Sequence, residues 1–236
     1  MKLFKKLLII IFSIAIIATA SIYAIWHNEI ATVASIKTII NQDLSHDDGY
    51  TYEMYVSGDY YFEDFLKQGG ATNDAELIQF VTDHITKGLI PMTIKSKEIA
   101  CSSFTAWTED NKFVFGRNYD FDQTNTAIVH TSPKGRHASI STIDLQFLGI
   151  KEEPGISSIK EKALLLAAPY IPLDGINDAG VACGIYMTYQ GEPTTPTNQN
   201  TDKPDITSTT LLRLILDYAD SVDEAIELAS KYDMHD

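Results

Sequence analysis

The sequence predicts an α+β fold, and three observations predict it. Apolar residues recur at helical spacing through much of the first ninety residues. From Cys101 onward, apolar and polar residues alternate in short strand-like runs. Two further helical stretches close the sequence after residue 206. With 236 residues, 44% hydrophobic and 21% charged, the chain can build a sizeable core.

The N-terminus carries a membrane signal. Lys2, Lys5 and Lys6 precede Leu7 to Trp26, twenty residues without a charge. At 1.5 Å rise per residue this stretch spans the ~30 Å hydrocarbon layer of a bilayer. Lysines on its N-terminal side place that end in the cytoplasm and the body outside the cell. An uncleaved anchor over residues 1–26 is favoured, because apolar character continues through Ile22, Ile25 and Trp26. A cleaved signal peptide with Ala18-Thr19-Ala20 as its processing site is the alternative. Either one exports the body, to the outer face of the membrane or as a secreted protein.

Formal net charge is −14, and the 15 basic against 32 acidic residues beyond the first six give the body −17. Such a surface repels phosphate backbones and anionic headgroups, so nucleic acid is excluded as a partner.

Residues 27–100 read as a leader or pro-segment. Glu29 to Ile40 has helical spacing and Tyr50 to Val56 alternates like a strand. Phe62 to Leu66 and Ala75 to Leu89 read as helices. Asn73 caps the second, and Leu77, Ile78, Val81 and Ile85 form its stripe. Beyond Cys101, Ala127–His130 and Ser139–Ile143 are strands. Ala163–Ala168 is an apolar run open to either assignment. Leu173–Ile176 and Val181–Tyr189 form a hairpin about the turn Asn177-Asp178-Ala179-Gly180. Residues 190–206 are a polar loop. The last helix opens with the capping box Ser221-Val222-Asp223-Glu224.

The chemistry centres on Cys101. Phe104, Ala106, Phe113 and Phe115 alternate with polar neighbours around Glu109-Asp110-Asn111, which is turn chemistry. A two-residue turn at Asp110-Asn111 would set Cys101 across from Asp120, with Arg117 and Asn118 one step along. A thiol, a cation and a carboxylate would then meet at one strand end. An unperturbed thiol titrates at ~8.5 and an α-amine at ~7.7–8. A cut between Ala100 and Cys101 would therefore create a base attached to the nucleophile itself. Arg117 offers a positive charge to a thiolate, and Asp120 can hold the new ammonium.

Other chemistries lack their residues. His27, His46, His84, His130, His137 and His235 show no metal-ligand spacing, and HExxH, GxSxG and phosphate-loop motifs are absent. A papain-type protease would need a histidine beside Cys101, where the hairpin supplies Arg and Asp. Cys183 lies in an apolar run and reads as a buried small residue. A Cys101–Cys183 disulfide is the structural alternative.

The segments Cys101-Ser102-Ser103-Phe104-Thr105-Ala106, Phe115-Gly116-Arg117-Asn118-Tyr119-Asp120 and Leu173-Asp174-Gly175-Ile176-Asn177-Asp178-Ala179-Gly180-Val181 resemble the choloylglycine hydrolase family. The similarity runs from about Ile99 to the end. It implies an αββα sandwich and an N-terminal-nucleophile hydrolase of linear amides, with bile salt hydrolases and penicillin V acylases among its members. It also implies self-cleavage before Cys101, with residues 101–236 as the N-terminal part of the hydrolase domain. By the same resemblance Cys101 is the nucleophile, Arg117 its neighbouring arginine and Asp120 the carboxylate that holds the α-amine. Asn177 belongs to the motif that helps form the oxyanion site. No cofactor is implied. The expected partners are a small amide substrate and, through the N-terminal helix, a membrane; homo-oligomer formation stays open. Family members continue past Asp236, so the chain is expected to be the N-terminal portion of a longer, incomplete sandwich. Two other readings stand beside hydrolysis: a non-catalytic envelope protein that binds acyl ligands, and an acyltransferase of the same fold.

Overall fold

The computed structural model describes residues 2–43, 49–94, 100–120, 125–151, 153–186 and 201–235. Helix α1 (Lys2–Ser35) begins the chain. It is long and apolar enough to cross a membrane, and the side chains of its most apolar part lie exposed. The helix runs past Trp26 and docks onto the body by its last two turns. There Thr32 is buried and its hydroxyl accepts the Ser57 backbone N–H at 2.9 Å. Nearby, Glu29 pairs with Lys87 at 3.3 Å. The helical spacing expected as far as Ile40 ends at Ser35. Beyond it the β-branched run Thr38-Ile39-Ile40 forms strand β1 (Lys37–Ile40), because such side chains sit better on a pleated surface.

A six-stranded sheet forms the centre. Its strands are β1, β2 (Thr51–Tyr55), β5 (Thr126–Thr131), β6 (Ser139–Asp144), β7 (Asp174–Asn177) and β8 (Ala182–Gly184), side by side in that order. Strand β2 runs parallel to β5, from Thr51 opposite Thr126 to Tyr55 opposite His130, and every other pair is antiparallel. The connection between these two strands carries α2 (Phe62–Lys67), α3 (Asp74–His84) and the hairpin of β3 (Ala100–Trp107) and β4 (Phe113–Asp120). A parallel pair needs a crossover of this kind, since a tight turn cannot return a strand in its own direction.

One face of the sheet is covered. Tyr52 and Met54 of β2, Ala127 and Val129 of β5 and Ile143 of β6 point into the core. Against them lie α2, α3, the short helix α4 (Ile159–Leu164) with the 3-10 turn Leu165–Tyr170, and α5 (Ser208–Tyr218). Tyr170 anchors an aromatic cluster: its ring meets Phe62 and Phe65 edge-on at 5.8 Å, and Phe65 meets Phe80 at 5.2 Å. The caps match the expected starts. Asn73 accepts the Glu76 N–H at the head of α3, and Ser221 accepts the Glu224 N–H at the head of α6 (Val222–Ala229). A small parallel pair, β9 (Asp205–Ile206) and β10 (Asp233–Met234), closes the C-terminal end.

The α+β expectation holds in its coarse form. The expected leader supplies β1, β2, α2 and α3 to the same sheet and core as the rest of the chain. Among the described residues, the β3–β4 hairpin forms a two-stranded sheet of its own, separate from the six-stranded sheet. Most of the expected loop at residues 190–206 falls outside the described residues.

Candidate active site

The β3–β4 hairpin turns through three residues, not two. The Thr108 N–H donates to the Lys112 carbonyl at 2.8 Å and the Asn111 N–H to the Thr108 carbonyl at 3.0 Å. Asn111 takes a left-handed conformation, φ 59°. This is the three-residue loop in which a type I turn is followed by an αL residue. The Thr108 hydroxyl holds it by donating to Asp110 Oδ1 at 2.6 Å and accepting the Lys112 N–H at 3.0 Å.

The extra loop residue corrects the expected register. Cys101 lies opposite Tyr119, Ser103 opposite Arg117, and Asp120 opposite Ala100. A slip of one residue exchanges the two faces of a strand. The register expected from a two-residue turn would have put Arg117 on the far side of the hairpin from Cys101. The observed one puts them on the same face, diagonal to each other, and the Arg117 Nη2 donates to Cys101 Sγ at 3.1 Å.

The guanidinium is held from the other side as well. Its Nη1 donates to the Leu173 carbonyl at the entrance to β7 and its Nη2 to the Ile185 carbonyl just beyond β8. Asp174 Oδ2 lies 3.9 Å from Nη1, and the Tyr186 ring centre is 4.9 Å from the guanidinium carbon. Only 3% of the Arg117 side chain is exposed. Asp174 is fixed in turn by the Thr142 hydroxyl, which donates to it at 2.6 Å. The arginine therefore joins hairpin to sheet and presents one edge to the thiol, with Cys101 itself half-buried.

Asp120 occupies the ladder position across from Ala100, so its backbone sits beside the bond expected to be cut. Its side chain lies outside the described residues. Asn177 is placed elsewhere, at the far end of β7. Its amide nitrogen donates to the Ala219 carbonyl at 2.8 Å, and its amide oxygen accepts the Val181 N–H at 2.9 Å. Both halves of the buried amide brace the β7–β8 corner against α5. The structure brings Cys101 and Arg117 together, sets Asp120 one ladder position away, and does not bring the Asn177 side chain to them.

Several participants were not singled out from the sequence. Asp174 was visible as part of a motif but had no role assigned, and the carbonyls of Leu173 and Ile185 carry no side-chain signature. Gly184 did carry one. A glycine within a strand often marks a close approach of another chain segment, and here the approaching group is Arg117.

Cys183 forms no disulfide, and burial pushes its thiol up to about 12, which keeps it protonated. Among the described residues, no three His, Cys, Asp or Glu side chains converge as a metal-binding set. A groove of about 400 Å³ lies on the outward face of the six-stranded sheet, with Tyr55, His130, Ile140 and Ile176 along it. Ile176, on the edge of the groove, follows Asp174 by two residues, ~7 Å along β7.

No curated protein and no solved structure matches the chain. A family model described as "Linear amide C-N hydrolases, choloylglycine hydrolase family" matches residues 101–235, more than half of the chain, and begins at the thiol that Arg117 touches. The chain belongs to the choloylglycine hydrolase family of linear amide C-N hydrolases.

Proposed function

We propose that the chain is an exported N-terminal-nucleophile amidohydrolase whose nucleophile is Cys101. The observation that carries the reading is the 3.1 Å contact from Arg117 Nη2 to Cys101 Sγ, made by an arginine already fixed by two backbone carbonyls. The start of the family match at Cys101 supports it.

The first step is self-cleavage. The Cys101 sulfur adds to the Ala100 carbonyl carbon, the Ala100–Cys101 C–N bond breaks, and the nitrogen takes up a proton. Water then hydrolyses the thioester, leaving an Ala100 carboxylate and a free Cys101 α-amine. In turnover that amine accepts the thiol proton and the thiolate adds to the substrate amide carbonyl. When the C–N bond breaks, the same proton passes to the departing amine. A water molecule hydrolyses the thioester, releasing the acid and restoring the thiol.

In this cycle Arg117 balances the charge on sulfur and Asp120 orients the α-ammonium. Asn177 acts as a brace for the corner that carries the arginine's carbonyl partners, rather than as a donor to the reacting oxygen. The apolar groove along Ile140 and Ile176 suits the acyl part of a linear, non-peptide amide such as a bile salt, phenoxyacyl penicillin or N-acyl amide. Residues 1–26 serve as the membrane anchor, and the body stands on the outer face.

N-terminal sequencing of active protein tests the first step and should return a chain beginning at Cys101. A thiol-directed acyl probe should label that residue, and Cys101→Ala should lose both labelling and amide turnover. Active protein with an intact Ala100–Cys101 bond would refute the reading.

A further inference from the structure

We propose that the turn Lys87-Gly88-Leu89 is a second membrane contact, through which the body rests against the outer leaflet beside its anchor. This rests on the reading of residues 1–26 as a membrane anchor. The anchor leaves no slack. Helix α1 is continuous from Lys2 to Ser35, so the apolar stretch ending at Trp26 and the turns docked on the body form one rod. Thr32, six residues beyond Trp26, is already buried and bonded to Ser57. At 1.5 Å per residue that docking point stands only ~9 Å along the axis from Trp26. A tryptophan that closes an apolar span belongs at the headgroup level. Parts of the body that touch Trp26 therefore stand at that level too.

Lys87 is such a part. Its ammonium lies 4.8 Å from the Trp26 ring centre and 5.3 Å from the Tyr61 ring centre, and it pairs with Glu29 at 3.3 Å. Aromatic rings and long cationic side chains are the groups that collect at a bilayer surface, with apolar parts inward and polar tips in the headgroups. Glu29 balances the lysine's charge, so the contact does not depend on anionic lipid.

The turn itself is held in shape. Lys87 and Gly88 both take left-handed conformations, φ 51° and 75°. The Gly88 N–H donates to the Thr82 carbonyl at 3.0 Å, and the Leu89 N–H to the Thr86 carbonyl at 3.0 Å. The hydroxyl of the buried Thr86 donates to the Ile90 carbonyl at 2.8 Å. A left-handed lysine is unfavourable on its own, and here that conformation accompanies the seat on Trp26. Leu89, two residues on, is left 74% exposed. A leucine already fixed on a bonded turn has little backbone freedom left to lose on entering an apolar phase, and it gains by leaving water.

The test uses the full chain with Cys101→Ala in phosphatidylcholine vesicles, carrying one added cysteine at a time with an environment-sensitive fluorophore. Cys183 keeps its proton and does not compete for the label. Ile14→Cys reports the anchor and Leu89→Cys reports the turn. Ile159→Cys is the reference, since Ile159 is also 74% exposed. Its helix α4 is set back from the bilayer: Lys162, one turn on, reaches the Ile36 carbonyl at 3.5 Å, and Ile36 lies ten residues beyond Trp26, ~15 Å along the rod. Lipids with a nitroxide on the acyl chain quench only labels within the apolar layer. The expected result is blue-shifted, quenched emission from the labels at Ile14 and Leu89, and neither change at Ile159. An unquenched Leu89 label beside a quenched Ile14 label would overturn this proposal and leave the anchor standing. Equal quenching at Leu89 and Ile159 would also overturn it. An unquenched Ile14 label would bring down the anchor reading and this proposal together.

Discussion

Gly184 lies directly against the Arg117 guanidinium: a Cβ built at that glycine would stand 2.5 Å from Arg117 Nη1. The atom it would strike is the tip of a flexible side chain, so the arginine would yield before the backbone did.

Gly184→Ala is therefore expected to displace the guanidinium from Cys101 while leaving the fold intact. A hydrogen bond to a charged group is worth about 1.5–3 kcal/mol, so amide turnover and Cys101 alkylation should each fall roughly 10- to 100-fold. Because the same guanidinium holds the Leu173 and Ile185 carbonyls, the melting temperature should also fall, with the six-stranded sheet still folded. Unchanged turnover in a stable variant would show that the arginine does not serve the thiol.

Arg213 is the most deeply buried charge in the described core, with no exposed side-chain surface. It donates to the Pro169 carbonyl at 2.8 Å, to Ser139 Oγ at 3.0 Å and to Asp217 Oδ1 at 3.2 Å. Its removal leaves several buried acceptors short of a donor. Arg213→Met should lower the unfolding free energy by about 3–5 kcal/mol, read from the denaturant midpoint of the solubilised protein. A loss below ~1 kcal/mol would mean that the group repacks without it.

The hairpin loop makes a separate test. Asn111 occupies the left-handed region, where asparagine and glycine are tolerated and a β-branched side chain is not. Asn111→Val should destabilise by about 1–2 kcal/mol, whereas Asn111→Gly should be close to neutral. Both are read by thermal melting.

Glu161 supplies a pH dependence with a defined sign. The backbone N–H of Ser157 donates to its carboxylate at 2.8 Å, and that of Ser158 at 2.9 Å. These bonds, with those from the two serine hydroxyls, hold the carboxyl below the usual glutamate range. A depressed folded value means that the stabilisation is complete above the unfolded value of about 4.3 and is lost as pH falls through the folded one. Glu161→Gln has no such titration. Its melting temperature should trail that of the unaltered protein near pH ~6, and the gap should close toward pH ~3. A constant gap across that range would remove the carboxylate from the account.

Local chemistry made the strand runs, the helix caps and the thiol readable in the sequence. Asn73 and Ser221 announce helix starts by hydroxyl or amide chemistry three residues ahead of their partners, and both caps are present. Asp110-Asn111 announced a turn, but its length was set by Thr108, whose hydroxyl spans the loop, and the pairing moved by one place. The burial of the leader was less legible. Its attachment depends on β2 meeting β5, with Thr51 opposite Thr126, a long-range pairing that no local pattern encodes. Asn177 illustrates the remaining difficulty. Its motif is visible, but the Ala219 carbonyl that engages its amide belongs to a later helix end.

The three-residue span from Glu109 to Asn111 has a consequence for how this family member can vary. Side chains along a ladder alternate like the colours of a chequerboard, so the count of residues in the bend decides the square on which Arg117 lands. Swapping one bend residue for another leaves that parity alone. Adding or deleting a single residue there would invert it and carry the cation to the wrong side of its strand, with every chemical group still present in the chain.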